Sequence, residues 1–338
     1  MIGTDYPSGA IREPIVTRNL YLALCIIVAT LPGPRAAESR APVAAPAPIE
    51  LPPLVQPASG ETHQGKVIWA DLVTPDLKQA EQFYGALFGW TFEPVDGDNS
   101  FAIARNAGQP VGGIVQRAMK AGQQRQPAWL TFIAVRDVAA AQRTALANGG
   151  KVLAGPKDYA QRGRQAVLSD PDGAVFAVLA SSSGDPPDDL AEPGEWIWSS
   201  LLARNTDHET GFYRAVFGYD VFDLPSEETS DNSHHVILAS DDFARAGIHS
   251  LPADAVHRHP HWLNFIRVDD AAAVAVKAIA LGGKVLVEPR MDRHGGQLAV
   301  IADPSGAPVG VMEWSGTEAA GAAADDRPDL PGAQKEAP

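Results

Sequence analysis

One stretch of this chain is written twice. Trp69-Ala-Asp-Leu-Val-Thr-Pro-Asp-Leu-Lys-Gln-Ala-Glu-Gln-Phe83-Tyr84-Gly-Ala-Leu-Phe88-Gly89-Trp90 aligns without a gap on Trp198-Ser-Ser-Leu-Leu-Ala-Arg-Asn-Thr-Asp-His-Glu-Thr-Gly-Phe212-Tyr213-Arg-Ala-Val-Phe217-Gly218-Tyr219. A later block repeats too. Trp129-Leu-Thr-Phe-Ile-Ala-Val135, Gly149-Gly-Lys-Val and Asp170-Pro-Asp-Gly-Ala return as Trp262-Leu-Asn-Phe-Ile-Arg-Val268, Gly282-Gly-Lys-Val and Asp303-Pro-Ser-Gly-Ala. The offset is 129 from Trp69 to Trp198 and 133 from Asp170 to Asp303, so the copies differ by a net four-residue insertion. Two homologous domains in tandem are required, over 63–181 and 195–316, joined by a Gly/Pro/acid-rich linker at 182–194.

The chain's 338 residues, 45% hydrophobic and 20% charged, suit two domains of the usual ~100–150 residues. A formal net charge of −14 argues against a nucleic-acid partner, because such binding needs a basic surface that releases counterions. Ahead of the repeats, Arg12 and Arg18 precede an apolar run from Leu20 to Leu31 and then small residues. This pattern reads 1–37 as a signal peptide, hence an exported, periplasmic or extracellular protein; a membrane anchor is the second choice, since the run falls short of the ~20 residues a span needs. Cys25, the only cysteine, lies in that run, so thiol chemistry is not expected of the mature protein. Residues 38–62 are Ala/Pro-rich and read as a disordered tether, and 317–338 as a disordered tail.

Within a domain, an apolar run at Val67–Val73 is followed by Asp76 in capping position, apolar residues at helical spacing from Leu77 to Phe88, and Gly89 as the stop. Three strand-like segments follow, with an Asp96-Gly97 turn, and the β-α-β-β-β order then restarts at Trp129, with Asp137 opening the second helix. Each domain holds two such units and the chain four.

Four βαβββ units, the Phe-Tyr-x-x-(Leu/Val)-Phe-Gly helix ending, the Gly-Gly-Lys-Val and the Asp-Pro-x-Gly-Ala turn together resemble the vicinal oxygen chelate superfamily, which contains glyoxalase I, the bleomycin-resistance proteins and the extradiol dioxygenases. The resemblance covers Gly65 to Trp314. It implies an α+β fold: in each domain a curved, eight-stranded mixed sheet with helices on the convex side and a small-molecule cavity on the concave face.

In metal-dependent members, a His or Gln on the first strand of a unit and a Glu on its last strand hold a divalent ion. Alignment places these positions on Trp69, Leu130 and Ala177 in the first domain and on Trp198, Leu263 and Gly310 in the second. None of the six can bind a metal. The other Glu position falls near Val111-Gly-Gly-Ile-Val115, without a carboxylate, and near Ala246-Gly-Ile-His249, with one imidazole.

Strand alternation puts Asp71 on the face of Trp69, and Ser200 on that of Trp198. Tyr159 and Arg164, before the last hairpin of the first domain, are candidates for reaching an anionic ligand. His257, His259 and His261 form the one local cluster of metal-type donors; adjacent His234 and His235 point to opposite faces and cannot chelate together. No phosphate loop, Gly-x-Ser-x-Gly or Cys-His pairing is present. The reading is an exported tandem protein that binds a small organic molecule in a cavity without metal or cofactor, as a monomer whose intramolecular domain pair replaces a homodimer. Its N-terminus could tether it to a membrane. The alternative is a metal-dependent lyase, isomerase or dioxygenase with relocated donors such as Asp71, His249, His257, His259 or His261.

Overall fold

A computed structural model describes residues 50–95, 100–119, 126–224, 235–251, 259–292 and 296–314. The Asp96-Gly97 turn, His234, His257, the signal segment, residues 38–49 of the tether and the whole tail lie outside the described residues. Among the described residues, no helix is long and apolar enough to cross a membrane.

The first domain runs β1 (Val67–Thr74), α1 (Leu77–Phe88), β2 (Thr91–Pro94), β3 (Phe101–Asn106), β4 (Gln109–Gln116), β5 (Ala128–Ala134), α2 (Val138–Ala147), β6 (Lys151–Tyr159), β7 (Gly163–Ser169) and β8 (Val175–Ser181). The second runs β9 (Trp196–Ala203), α3 (Thr206–Phe217), β10 (Asp220–Leu224), β11 (His235–Ser240), β12 (Phe243–Ser250), β13 (His261–Val268), α4 (Ala271–Ala280), β14 (Lys284–Met291), β15 (Gln297–Ala302) and β16 (Pro308–Glu313). Each set forms one eight-stranded mixed sheet, in the orders β2-β3-β4-β1-β5-β8-β7-β6 and β10-β11-β12-β9-β13-β16-β15-β14. The expected α+β class and the two-unit domains are what the structure has.

The helices begin and end where local chemistry requires. Asp76 and Asn205 accept the backbone N–H three residues on, at 3.0 Å each, satisfying a donor the first turn leaves open. Gly89 and Gly218 end α1 and α3 with φ of 77° and 76°, in the left-handed region that closes a helix with little strain in glycine.

The helix-covered cores are shared between the domains. One cluster joins the α1 face of the first domain (Leu72, Phe83, Tyr84, Ile114) to the α4 face of the second (Ile266, Ala275, Val309). Its counterpart joins Ile133, Leu168 and Phe176 to Leu201, Phe212 and Tyr213. Two matching hydrogen-bond chains cross this seam. Trp129 Nε1–H donates to Tyr84 Oη at 3.0 Å, and Tyr84 donates to Asp303 at 3.3 Å; Trp262 Nε1–H donates to Tyr213 at 2.9 Å, and Tyr213 to Asp170 at 3.1 Å. Burial, and next the facing aspartate, push both tyrosine pKa values well above the ordinary range, so both hydroxyls keep their protons and donate. At the centre, Thr131 and Asn264, equivalent positions of the repeat, meet at 3.0 Å.

Residues 50–62, expected to belong to a disordered tether, are instead packed on the first domain. Leu51 and Leu54 are buried in its helix-free face. The interdomain linker clasps this segment: Ser183 Oγ accepts the backbone N–H groups of Leu54 and Val55 at 3.0 and 3.2 Å, and Asp185 accepts that of His63 at 2.7 Å. Two leucines and a set of saturated backbone donors offset the ordering entropy that composition alone suggested was unmet.

Candidate functional site

The sheet faces turned away from the helices carry the sequence-predicted cavity residues. Both first strands have a bulge just before their tryptophan, at residues 68 and 197, which re-aims the indole onto this face. Trp69 Nε1–H then donates to Asp71 Oδ1 at 2.7 Å, and Trp198 Nε1–H to Ser200 Oγ at 3.1 Å. The residue pairs expected from strand alternation are therefore joined directly.

In the first domain this face is filled. Trp69 is 3% exposed and packs with Leu51, Leu54, Phe101, Phe132, Ala177 and Leu179. Leu130 and Tyr159 line the same cluster, half-buried. The Arg162 guanidinium, 1% exposed, lies 4.1 Å from the Trp69 ring centroid, and its Nε–H donates to the Pro52 carbonyl at 2.8 Å. Burial raises the pKa of Asp71, opposed by the charge of Arg162 and the Trp69 N–H. Asp71 closes over Gly113, where a Cβ would lie 2.2 Å from its Oδ1; only glycine admits the carboxyl there. A cleft of about 230 Å³ remains at the edge, among Glu50, Pro52, Glu93, Arg105 and Gln161, smaller than the usual small-molecule pocket.

Arg162 was not anticipated, whereas Arg164 was. Arg164 is exposed and pairs with Asp158 at 3.0 Å, away from the buried cluster. Between them Gly163 has φ of 111°, which breaks the alternation that would have put both arginines on one face.

The second domain's face differs. Leu263, Phe265, Val300 and Met312 are buried in it, while Trp198, Leu298 and Trp314 are only partly covered. Ser200, on β9, is buried beside Trp198, and Gly310 lies against the Phe265 ring. Strand register puts His235, His249 and His261 on this same face: His249 pairs with Leu202 on one side of β9 and with His235 on the other side of β12, and His261 pairs with Leu202 across β13. The His235 and His249 rings lie 3.7 Å apart, both Nε2 atoms near Gly247. His234 lies outside the described residues, but His235 finds a neighbour across the sheet that reading along the chain does not reveal. His259 is exposed, and its carbonyl meets His261 Nδ1 at 2.8 Å.

Three of the four donor positions of metal-dependent relatives hold an indole, a branched alkyl, and a methyl or a hydrogen in each domain, and the fourth has no carboxylate, so the residues present do not fit the inherited ion. Among the described residues, the one group of three metal-type donors that converges is Asp172, His208 and Glu209, on neither of these faces. Asp71 and His249 belong to separate sheets and do not meet.

The Glyoxalase-like domain profile matches residues 68–179 and again 199–312. The chain belongs to the glyoxalase-like family, as a tandem member of the vicinal oxygen chelate superfamily. CFP32 of Mycobacterium tuberculosis, which bears a glyoxylase name, is 33% identical over 260 residues, covering 76% of this chain and 98% of its own. The anthracycline biosynthesis protein DauV of a Streptomyces species is 31% identical over 274 residues, covering 77% and 97%. In fold, the chain is similar to the Mn(II)-bound glyoxalase from Novosphingobium aromaticivorans, with a TM-score of 0.53 at 19% identity over 75% of this chain and 83% of that one. The 2,3-dioxygenase LapB of Pseudomonas has the same TM-score at 13% identity, over 75% and 93%.

Proposed function

We propose that this protein binds a flat, largely apolar organic molecule bearing hydroxyl or carbonyl groups, in the second domain and without using the inherited metal. The observation that carries this is the inequality of the two helix-free faces. The first is filled by Leu51, Leu54 and Arg162, whereas the second leaves Trp198 partly uncovered between apolar residues and a row of imidazoles. An aromatic wall beside a few fixed polar groups suits a planar guest, giving area burial from the indole and orientation from Ser200, His249 and His261. The relationship to DauV, an anthracycline biosynthesis protein, supports polycyclic aromatic compounds as the class to test. The chain acts as an exported monomer in this reading, which rests on the N-terminal sequence and the shared cores.

Titrating the protein with polycyclic phenols and quinones while following tryptophan fluorescence tests the proposal. Saturable quenching is expected, weakened about ten-fold or more in Trp198→Leu and unchanged in Tyr159→Phe, a first-domain substitution. The reading fails if no compound of this class binds. Stoichiometric metal in protein purified without a histidine tag, lost in His249→Ala, would instead establish the metal-dependent alternative.

A further inference from the structure

The seam between the domains holds a second group that neither helix-free face uses. The Asp170-Pro-Asp-Gly turn of the first domain lies against the first turn of α3 in the second. Asp170 is fully occupied structurally: Oδ1 accepts the backbone N–H groups of Gly173 and Ala174 at 2.7 Å each, and Oδ2 accepts Tyr213. Asp172 Oδ2 reaches across to the backbone N–H groups of Arg204 and Asn205 at 3.2 and 3.4 Å. Beside it, Glu209 is 0% exposed, with the Asp170 carboxyl and the Asp172 backbone N–H next to it and, among the described residues, no cation paired with either of its oxygens except the His208 ring. Its one close polar neighbour on α3 is His208 Nδ1, 3.3 Å from Oε1, on a side chain that is 56% exposed.

A carboxyl buried beside two other acids is costly to ionise, and a cation among the three relieves that cost. The repeat makes the same point, because the other half manages without one. At the positions equivalent to Asp172, His208 and Glu209 stand Ser305, Gln79 and Ala80, and Ala80 is simply part of the apolar core. Packing therefore does not require an acid at 209. Two carboxylates and an imidazole take the place of a hydroxyl, an amide and a methyl together, and one ligand atom from each lies within 4.8 Å of the others. Bonds of about 2.0–2.2 Å to a first-row ion place ligand atoms about 3–3.5 Å apart, so small side-chain rotations close the set.

We infer that Asp172, His208 and Glu209 form a binding site for a divalent first-row cation, such as Mn²⁺ or Zn²⁺, that clamps the first domain to the second. Two carboxylates and one imidazole suit such an ion, and water completes the coordination on the open side of His208. The cation supplies the charge that Glu209 lacks and bonds residues from both domains, so it acts on stability and domain pairing. It is a site separate from the inherited position on the sheet faces.

The test uses the full chain, purified without a histidine tag and stripped with EDTA, titrated with Mn²⁺ by paramagnetic resonance and with Zn²⁺ by calorimetry. One ion per chain is expected, with a higher thermal midpoint. Asp172→Asn and Glu209→Gln should each weaken binding about ten-fold or more, while His249→Ala leaves it intact. His208→Ala, at a side chain that is 56% exposed, should weaken it as well and serves should the buried variant not fold. Absence of binding up to ~1 mM, near −4 kcal/mol of affinity, overturns the inference. So does binding that survives both carboxylate substitutions, or that disappears only in His249→Ala.

Discussion

Trp69, Asp71 and Arg162 make one unit: an indole donating to a half-buried carboxyl and carrying a buried guanidinium on its face. Removing the cation leaves the half-buried acid with only the indole N–H, a loss of about 1–3 kcal/mol. Arg162→Met is therefore expected to lower the urea midpoint strongly, and Asp71→Asn in the same background to restore most of the loss; a double-mutant cycle with no coupling would refute the pairing. A second prediction concerns Glu209. Burial, reinforced by the Asp170 carboxylate, raises its folded pKa above its ordinary 4.5. The folded state thus holds a proton that the unfolded chain releases, so the resulting stability is complete below about pH 4.5 and is lost as pH rises toward the folded value. In EDTA, stability should fall by up to about 1.4 kcal/mol per pH unit through that window, and Glu209→Gln should flatten the slope. At this scale the sequence was half legible. Trp69 with Asp71, and Trp198 with Ser200, followed from alternation. Arg162 did not, because the positive φ of Gly163 separates it from Arg164, the arginine singled out in the sequence, in direction. Glu209 reads along the chain as one more acid in a helix's first turn, and only its cross-domain neighbours mark it.

Among the elements, the segment from Leu51 to His63 changes the most between sequence and structure. Averaged over 38–62, its composition resembles a flexible tether, yet two leucines and a run of backbone N–H groups suffice because the acceptor Ser183 waits 129 residues downstream. Such a partner cannot be seen in a local window. Leu54→Ala should cost about 2–4 kcal/mol, the usual range for a buried leucine. Leu51→Asp with Leu54→Asp should release the segment, which limited proteolysis would detect as early cleavage between residues 50 and 62. The uncovered first face should then bind an apolar dye that the parent protein excludes. If cleavage and dye binding stay at parental levels, the segment does not cover that face. The helices, by contrast, were legible nearly to the residue, since Asp76, Gly89 and the apolar spacing between them are local signals.

For the whole molecule, the repeat announced two domains, but the motifs that announced it serve the junction between them. The tyrosine of each Phe-Tyr pair donates to the aspartate that opens the other domain's Asp-Pro-x-Gly turn. Each helix-covered core is likewise assembled from both halves. Neither domain can therefore lose its packing without exposing the other's, and the chain should unfold in a single cooperative transition although its sequence divides cleanly in two. Calorimetry should give a calorimetric enthalpy equal to the van't Hoff value for the full chain. Tyr84→Phe removes a donor from buried Asp303 and an acceptor from the Trp129 N–H, a loss of about 1–3 kcal/mol that should shift the one transition downward without splitting it. Two resolved transitions, in the parent or in Tyr84→Phe, would mean that the domains hold their cores separately and that the crossed Tyr-Asp contacts are incidental.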